Sequence, residues 1–425
     1  MHAEFKKFRN LFVFIFIVST ILICGKAFAE ESKKLVFLHY WTGDMSGGIN
    51  EMVNTFNKKN PGYEVKAAGF EHETFKPSIK VMLEVGNPPD FFSFWAGAKT
   101  QDLVNSGYLL PIDDVWKKAD LASRFSPAIT GACTYNGKIY AIPVTQHFVA
   151  FFYNKAIFQR LNLLPPKTWQ DFLALCDVLK EKKITPISLG SREKWPAQFW
   201  FDYLLLRTAG PEFRQQLMDG KVSYNDPMVA EVFSVWDKMI SKQYFNTTPN
   251  VFDWSEASKM VYNGEAAMTL MGTWITGLFE NKLNWKQEKD FDYFCFPIIK
   301  PEIPIVSLGP VDCILLPKSK NAEAAKTALE FFSDTEPQKE MSRGSGALAP
   351  NANIPDSFYP AMQARIRQTI NQSKLWAFNY DLATQPEVAE IGLDCFVKFL
   401  NTPEKYNELL RETDNKAKNF FHKGR

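Results

Sequence analysis

The sequence predicts an α/β protein of two lobes with largely parallel sheets. Three observations carry this. Short apolar runs alternate with amphipathic stretches through the first hundred residues, the spacing of βαβ units. About 396 residues follow an N-terminal leader, more than one ordinary core holds. The stretch Val261–Trp274 reads as a helix end, a short buried strand, a glycine break and a new turn, and open α/β sheets bind ligands at such strand ends.

The leader comes first. Lys6, Lys7 and Arg9 precede an uncharged apolar run from Leu11 to Cys24, and Ala27-Phe28-Ala29 fits a small-residue cleavage site. The run is 14 residues long, short for a membrane span. Ile23 is bulkier than the small residue that lipoprotein processing needs before Cys24. The expectation is a signal peptide cut after Ala29 and a soluble periplasmic protein.

Leu35–Leu38 is the first strand, and Gly47-Gly48 opens a helix with Ile49, Met52, Val53 and Phe56 on one face. Pro61-Gly62 ends it before a second strand, Tyr63–Ala67. A helix from about Thr74 to Val85 leads through Asn87-Pro88-Pro89-Asp90 to a third strand, Phe91–Trp95. Tyr135–Pro143 reads as a hairpin turned by Asn136-Gly137. Phe148–Tyr153 is a strand, and Thr168 caps a helix with Asp171 three residues on. From Trp195 to Trp285 the pattern is helical except for the strand Ala266–Met271, whose break at Gly272 leaves Thr273 as cap of the next helix. Cys313–Leu316 is a late strand, Asn321 caps the helix Ala322–Phe332, and residues 351–425 read as helical.

Composition excludes some partners and chemistries. The whole chain carries +2; without residues 1–29 it has 45 basic and 46 acidic residues, hence −1. No basic excess exists to neutralise phosphates, so nucleic acid is not an expected partner. The five cysteines beyond the leader (Cys133, Cys176, Cys295, Cys313, Cys395) show no zinc spacing and no disulfide framework, and read as small buried residues. There is no nucleophile elbow, zinc helix motif or phosphate-cradling glycine loop, and no cofactor is expected. All 11 tryptophans lie after the leader, enough for some to line a cleft.

Several segments in order and spacing resemble the family 1 extracellular solute-binding proteins of ABC importers, the maltose-binding-protein-like group. They are Asn87–Asp90, Gly107-Tyr108-Leu109-Leu110-Pro111-Ile112-Asp113, Gly137–Pro143, Tyr153-Asn154-Lys155, Pro166–Trp169, Asn263–Met268 with Gly272 and Trp274, and Lys320–Lys326. Where that family often has a glycine cluster before the late strand, this chain has Leu308-Gly309-Pro310. The resemblance implies a two-lobed periplasmic-binding-protein fold of type II that closes on a ligand held between lobes. It places three crossings near Pro143–Phe148, Pro304–Leu308 and Ala347–Pro350. Residues 30–144 and 307–348 then form lobe 1, and 145–306 with 349–425 form lobe 2. The implied function is non-enzymatic: capture of a mono- or oligosaccharide and delivery to an ABC transporter permease, by a monomer.

Sugars present apolar faces ringed by hydroxyls, so a site needs aromatic platforms and planar polar groups together. The candidate platforms are Trp41, Trp95, Trp195, Trp200 and Trp274. Covering about 80 Å² on one platform gives ~2 kcal/mol, so three supply roughly 6 of the ~8 kcal/mol of a micromolar affinity. The candidate polar groups are Glu71, His72, Gln146, His147, Asp312 and Arg343. Trp116, Trp169, Trp236 and Trp285 fall on core or surface helix positions, while Trp254 and Trp376 stay unassigned. Two other readings remain at this point. A polyamine or glycerol phosphate could occupy the same fold. A secreted glycoside hydrolase would need two facing carboxylates, for which Asp44, Glu71 and Asp312 are the nearest residues.

Overall fold

The computed structural model describes residues 32–373 and 375–421, so the leader and the expected cut after Ala29 lie outside the described residues. In chain order the strands are β1 (Lys33–His39), β2 (Tyr63–Gly69), β3 (Phe91–Trp95), β4 (Thr134–Tyr135), β5 (Lys138–Ile139), β6 (Ala141–Gln146) and β7 (Val149–Asn154). They continue with β8 (Thr185–Ser188), β9 (Ala266–Gly272), β10 (Phe291–Phe294), β11 (Val306–Leu308), β12 (Val311–Leu315) and β13 (Leu375–Ala377). Two main sheets result, β2-β1-β3-β12-β6 and β10-β7-β9-β8. Each is buried in its own core. One core takes residues from 35–144 and 311–341 with Leu382, the other from 148–308 and 348–417.

The sheets are less parallel than the sequence suggests. β2, β1 and β3 run parallel, but β12 is antiparallel to both its neighbours, and β7 to both of its own. The reason lies in the crossings. β6 ends where the chain leaves the first core, while β7 and β12 begin just after a crossing. Val149 pairs with Gly272, and Asp312 with Trp95, so strands that start at the crossings run against strands that end there. The ends of β3, β6 and β9 and the starts of β7 and β12 therefore meet at one place.

The crossings lie side by side. Gln146 and Leu348 exchange both backbone hydrogen bonds, at 2.8 and 3.1 Å, and the His147 amide donates to the Pro310 carbonyl at 3.0 Å. Gly309 makes this approach possible, since a Cβ there would sit 1.8 Å from the His147 carbonyl oxygen. This middle crossing is Gly309-Pro310 rather than Pro304–Leu308. Pairing of β11 with β13 keeps Val306–Leu308 in the second core.

Local expectations met mixed outcomes. The Asn136-Gly137 turn forms, with both residues at positive φ, between β4 and β5, and the Thr168 hydroxyl caps its helix by accepting from the Asp171 amide. Asn321 makes no side-chain cap bond. Residues 351–421 are helical except for β13 and short turns. Thr273 is not a helix cap either: its hydroxyl is drawn to the crossing, as described below.

Candidate functional site

A cleft of about 550 Å³ opens where those strand ends meet, bordered by residues from both cores. Its size falls in the range of ~300–1,000 Å³ of small-ligand sites.

The wall on the side of the first core follows β1 and β3. Trp41 and Trp95 border the cleft yet are only 1% and 6% exposed. Trp41 packs among Phe37, His39 and Tyr40. The Trp95 ring stacks on Tyr40 at 4.2 Å and 14°, with the Lys76 and Lys99 ammonium groups 5.7 and 5.6 Å from its centroid. Neither tryptophan offers an open ring face, against the expectation that both are platforms, because the aromatic density of this wall is spent on its own packing. His72 stands edge-on to Trp95 and bonds Glu73. Desolvation pushes the Glu73 carboxyl up, but the His72 bond and the Lys76 ammonium outweigh it and hold its pKa near about 2. Glu71 caps the helix His72–Glu84, its two oxygens accepting from the Glu73 and Thr74 amides, so its place at the cleft rim comes with a structural duty.

The floor is the first crossing. Thr145 Oγ1 donates to Asp312 Oδ2 at 2.5 Å, and His147 Nε2 lies 3.1 Å from the same oxygen. On its other side His147 Nδ1 is 3.1 Å from Thr273 Oγ1, which also accepts from the Phe148 amide at 3.3 Å. One assignment satisfies the whole chain of bonds: Nε2–H donates to the carboxylate and Nδ1 accepts from Thr273. Desolvation raises the Asp312 pKa, and the bonds from His147 and Thr145 more than reverse it. The register shift between Asp312 and Cys313 is the bulge that brings the carboxylate beside Thr145. Tyr40 is pushed well above its usual pKa by burial and then by Asp312, although no hydrogen bond of ordinary geometry joins the two.

The wall on the side of the second core carries the half-buried tryptophans. Trp274 follows β9 directly, and its indole lies on Gly272, where a Cβ would come within 2.0 Å of the ring. Trp195 meets it edge to face at 5.8 Å, and His147 abuts it at 5.1 Å. A γ-turn aims the neighbouring residues: the Trp195 amide donates to the Glu193 carbonyl at 2.8 Å around Lys194, whose φ is +66°. A non-glycine residue held there is strained, a cost that backbones bear mostly at functional sites. Arg192, next to Glu193, is tied to Asp253 and Glu256.

Three residues expected in the site lie elsewhere. Trp200 is 0% exposed, five residues beyond Trp195 and so about 140° around the helix from it, packed on Phe151, Phe245 and Phe296 in the second core. Gln146 meets Leu348 through its backbone at the crossing and does not border the cleft. Arg343 is exposed on the outer side of the crossings, its guanidinium 4.9 Å from the Phe358 ring, beside a separate cavity. Conversely Tyr40, Lys76, Lys99, Glu193, Gln198, Asn379 and Asp381 border the cleft although the sequence pattern does not point to them, and so does the otherwise unassigned Trp254. Glu193 was the most legible of them, sitting two residues before Trp195. Asn379 and Asp381 arrive from the C-terminal third and had no local signal.

Residues 42–339 match the family described as bacterial extracellular solute-binding protein. An ABC transporter extracellular-binding protein of Pyrococcus horikoshii, itself uncharacterized, is 30% identical over 92% of this chain and 88% of its own length. A probable sugar-binding periplasmic protein of Mesorhizobium japonicum is 27% identical over 66% of this chain and 67% of its own. Among solved structures, a bacterial solute receptor described as preferring β-D-galactopyranose superposes with a TM-score of 0.86 at 25% identity, over 92% of this chain and all of that one. A chitin oligosaccharide binding protein gives 0.82 at 25% identity, over 91% and 99%. With two sheets, two cores and three adjacent crossings around one cleft, the chain has the two-lobed type II fold and belongs to the family 1 bacterial extracellular solute-binding proteins.

Proposed function

We propose that this protein captures a mono- or oligosaccharide between its lobes and delivers it to the permease of an ABC importer, without transforming it. The observation that carries the reading is the corner made by Trp195 and Trp274 beside the His147–Asp312 pair: apolar ring surface and a fixed hydrogen-bonding floor in one cleft. A sugar ring needs both. The relatives named for sugars and the sugar-named structural neighbours support it.

The proposed ligand contacts are Trp195, Trp274, His147 and Asp312, with His72, Glu71 and the edges of Trp41 and Trp95 bounding the space. The proposed lobes are those of the two cores, hinged at Thr145–Phe148, Gly309-Pro310 and residues 342–347. The proposed setting is the periplasm, after cleavage behind Ala29, as a monomer. Thermal-shift screening of the protein beginning at Glu30 against a saccharide library tests the reading, because a ligand that binds only the native state raises Tm. At least one saccharide should raise it. A shift with spermidine or glycerol phosphate and with no saccharide would replace sugar by that solute. Steady release of shorter products from an oligosaccharide would overturn the binding-only reading.

A further inference from the structure

Asn379 occupies the N-cap position of the short helix Tyr380–Ala383, where an asparagine side chain ordinarily accepts from the first amides of the helix. Here it does not. The Tyr380 amide donates to Asp202 Oδ2 and the Asp381 amide to Gln198 Oε1, both at 2.8 Å, so side chains of the helix Trp195–Thr208 have taken over the cap. The Asn379 side chain is thereby released and borders the cleft. It is 5% exposed, and its Oδ1 has no hydrogen-bond partner. Glu193, placed by the strained turn at Lys194, also borders the cleft and has a buried oxygen, Oε2, without a partner. Buried polar atoms are almost always paired. Two residues of one cleft lining each keep a buried acceptor unpaired, which a ligand that brings donors would satisfy once their side chains turn toward it.

The charges in the cleft narrow the class. Among the described residues six carboxylates border it (Glu71, Glu73, Glu193, Asp253, Asp312, Asp381) against three permanent cations. All three cations are already engaged: Lys76 with Glu73, Lys99 with Asp381, Arg192 with Asp253. A ligand carboxylate or phosphate would find no free cation and several like charges, and binding an acid without a convergent cation is unfavourable. Neutral hydroxyls donate to lone acceptors without that penalty.

We propose that the site selects neutral saccharides over their acidic counterparts, with Asn379 Oδ1 and Glu193 Oε2 as the acceptors that read the ligand's hydroxyl donors. This rests on the sugar reading above. The test titrates each saccharide that raises Tm in the library beside its C6-carboxylate: galactose with galacturonate, glucose with glucuronate, cellobiose with its uronate. The neutral member should bind at least ~10-fold more tightly. Equal or tighter binding of the uronate overturns the inference and leaves sugar capture standing. If no saccharide of either kind binds, sugar capture falls and this inference with it.

Two variants test the residues. Asn379→Leu should weaken neutral-sugar binding by roughly 10-fold, because a ligand donor loses its acceptor. Its unliganded Tm should hold or rise, because an unpaired buried polar atom has been removed. Unchanged affinity, or a fall in Tm of many degrees with affinity kept, would give Asn379 a structural role instead. Asn379→Ala serves if leucine does not fit, with the same expected loss of affinity. Glu193→Gln keeps the acceptor oxygen and drops the charge, so neutral binding should change less than ~3-fold while the uronate is rejected less strongly. Stronger rejection of the uronate by this variant would contradict the electrostatic part.

Discussion

Lys99 Nζ lies 2.6 Å from Asp381 Oδ2, an ion pair at the border of the cleft. Lys99 belongs to the helix Ala98–Asn105 at the end of β3, while the Asp381 amide donates to Gln198 Oε1 on the helix Trp195–Thr208 at 2.8 Å. Both side chains are nearly buried. Desolvation raises the Asp381 carboxyl, but Lys99 and Lys76 hold it below the usual range.

Lys99→Met should therefore be costly, up to about 3 kcal/mol of stability, since it leaves the Asp381 charge with Lys76 as its remaining cation in a low-dielectric site. Lys99→Met with Asp381→Asn should recover much of that loss. Denaturant melting of both variants checks this. Equal losses in single and double variants would mean that the pair is not coupled.

His39 gives the protein an acid-sensitive core. Burial lowers its pKa from 6.5 to about 4, and its Nδ1 has no partner among Phe37, Trp41 and the nearby Gly69. The folded state resists protonation that the unfolded chain accepts. Stability is therefore complete above about pH 6.5 and falls as the pH drops toward 4, by roughly 3 kcal/mol for a shift of this size. Denaturant melts at pH 7.5 and 4.5 should show the slope, and His39→Asn should flatten it. An unchanged slope in the variant would place the acid sensitivity in other groups.

Gly272→Ala should disturb the site more than the fold. Its Cβ would overlap the Trp274 ring, which must swing away, at a cost typical of overpacking, ~1–3 kcal/mol. Sugar affinity should drop at least ~10-fold, as for a displaced platform. Calorimetric titration decides, and wild-type affinity in the variant would show that Trp274 does not need its seat on Gly272.

The leader gives a prediction outside the described residues. Exported protein should begin at Glu30 when its N-terminus is sequenced. Lipid on Cys24 would instead make it a membrane-anchored lipoprotein.

Much of this architecture could be read from local signals. Val261–Trp274 showed its helix end, strand and glycine break because each is written within a few residues, and β9 ends at Gly272 as expected. Asn136-Gly137 showed a turn for the same reason. What sequence could not show depends on distant partners. Thr273 has the chemistry of a cap, yet a histidine from 126 positions away takes its hydroxyl. Trp195 and Trp200 looked alike on paper. One helix carries both, five residues and so about 140° apart, and its packing turns the Trp200 side into the core. Asn379 was invisible because its release from capping depends on Asp202 and Gln198, far away in the chain.

Calorimetric titration of Trp274→Ala with a saccharide that binds the native protein reads whether a sugar lies against the indole in the cleft. Losing the platform should cost ~2 kcal/mol of binding free energy, about a thirtyfold loss of affinity. Denaturant stability should fall less than the ~3–5 kcal/mol of emptying a fully buried tryptophan site, because the indole is only partly buried without ligand. Native affinity in the variant, with a large loss of stability, would make Trp274 a core residue and contradict the account.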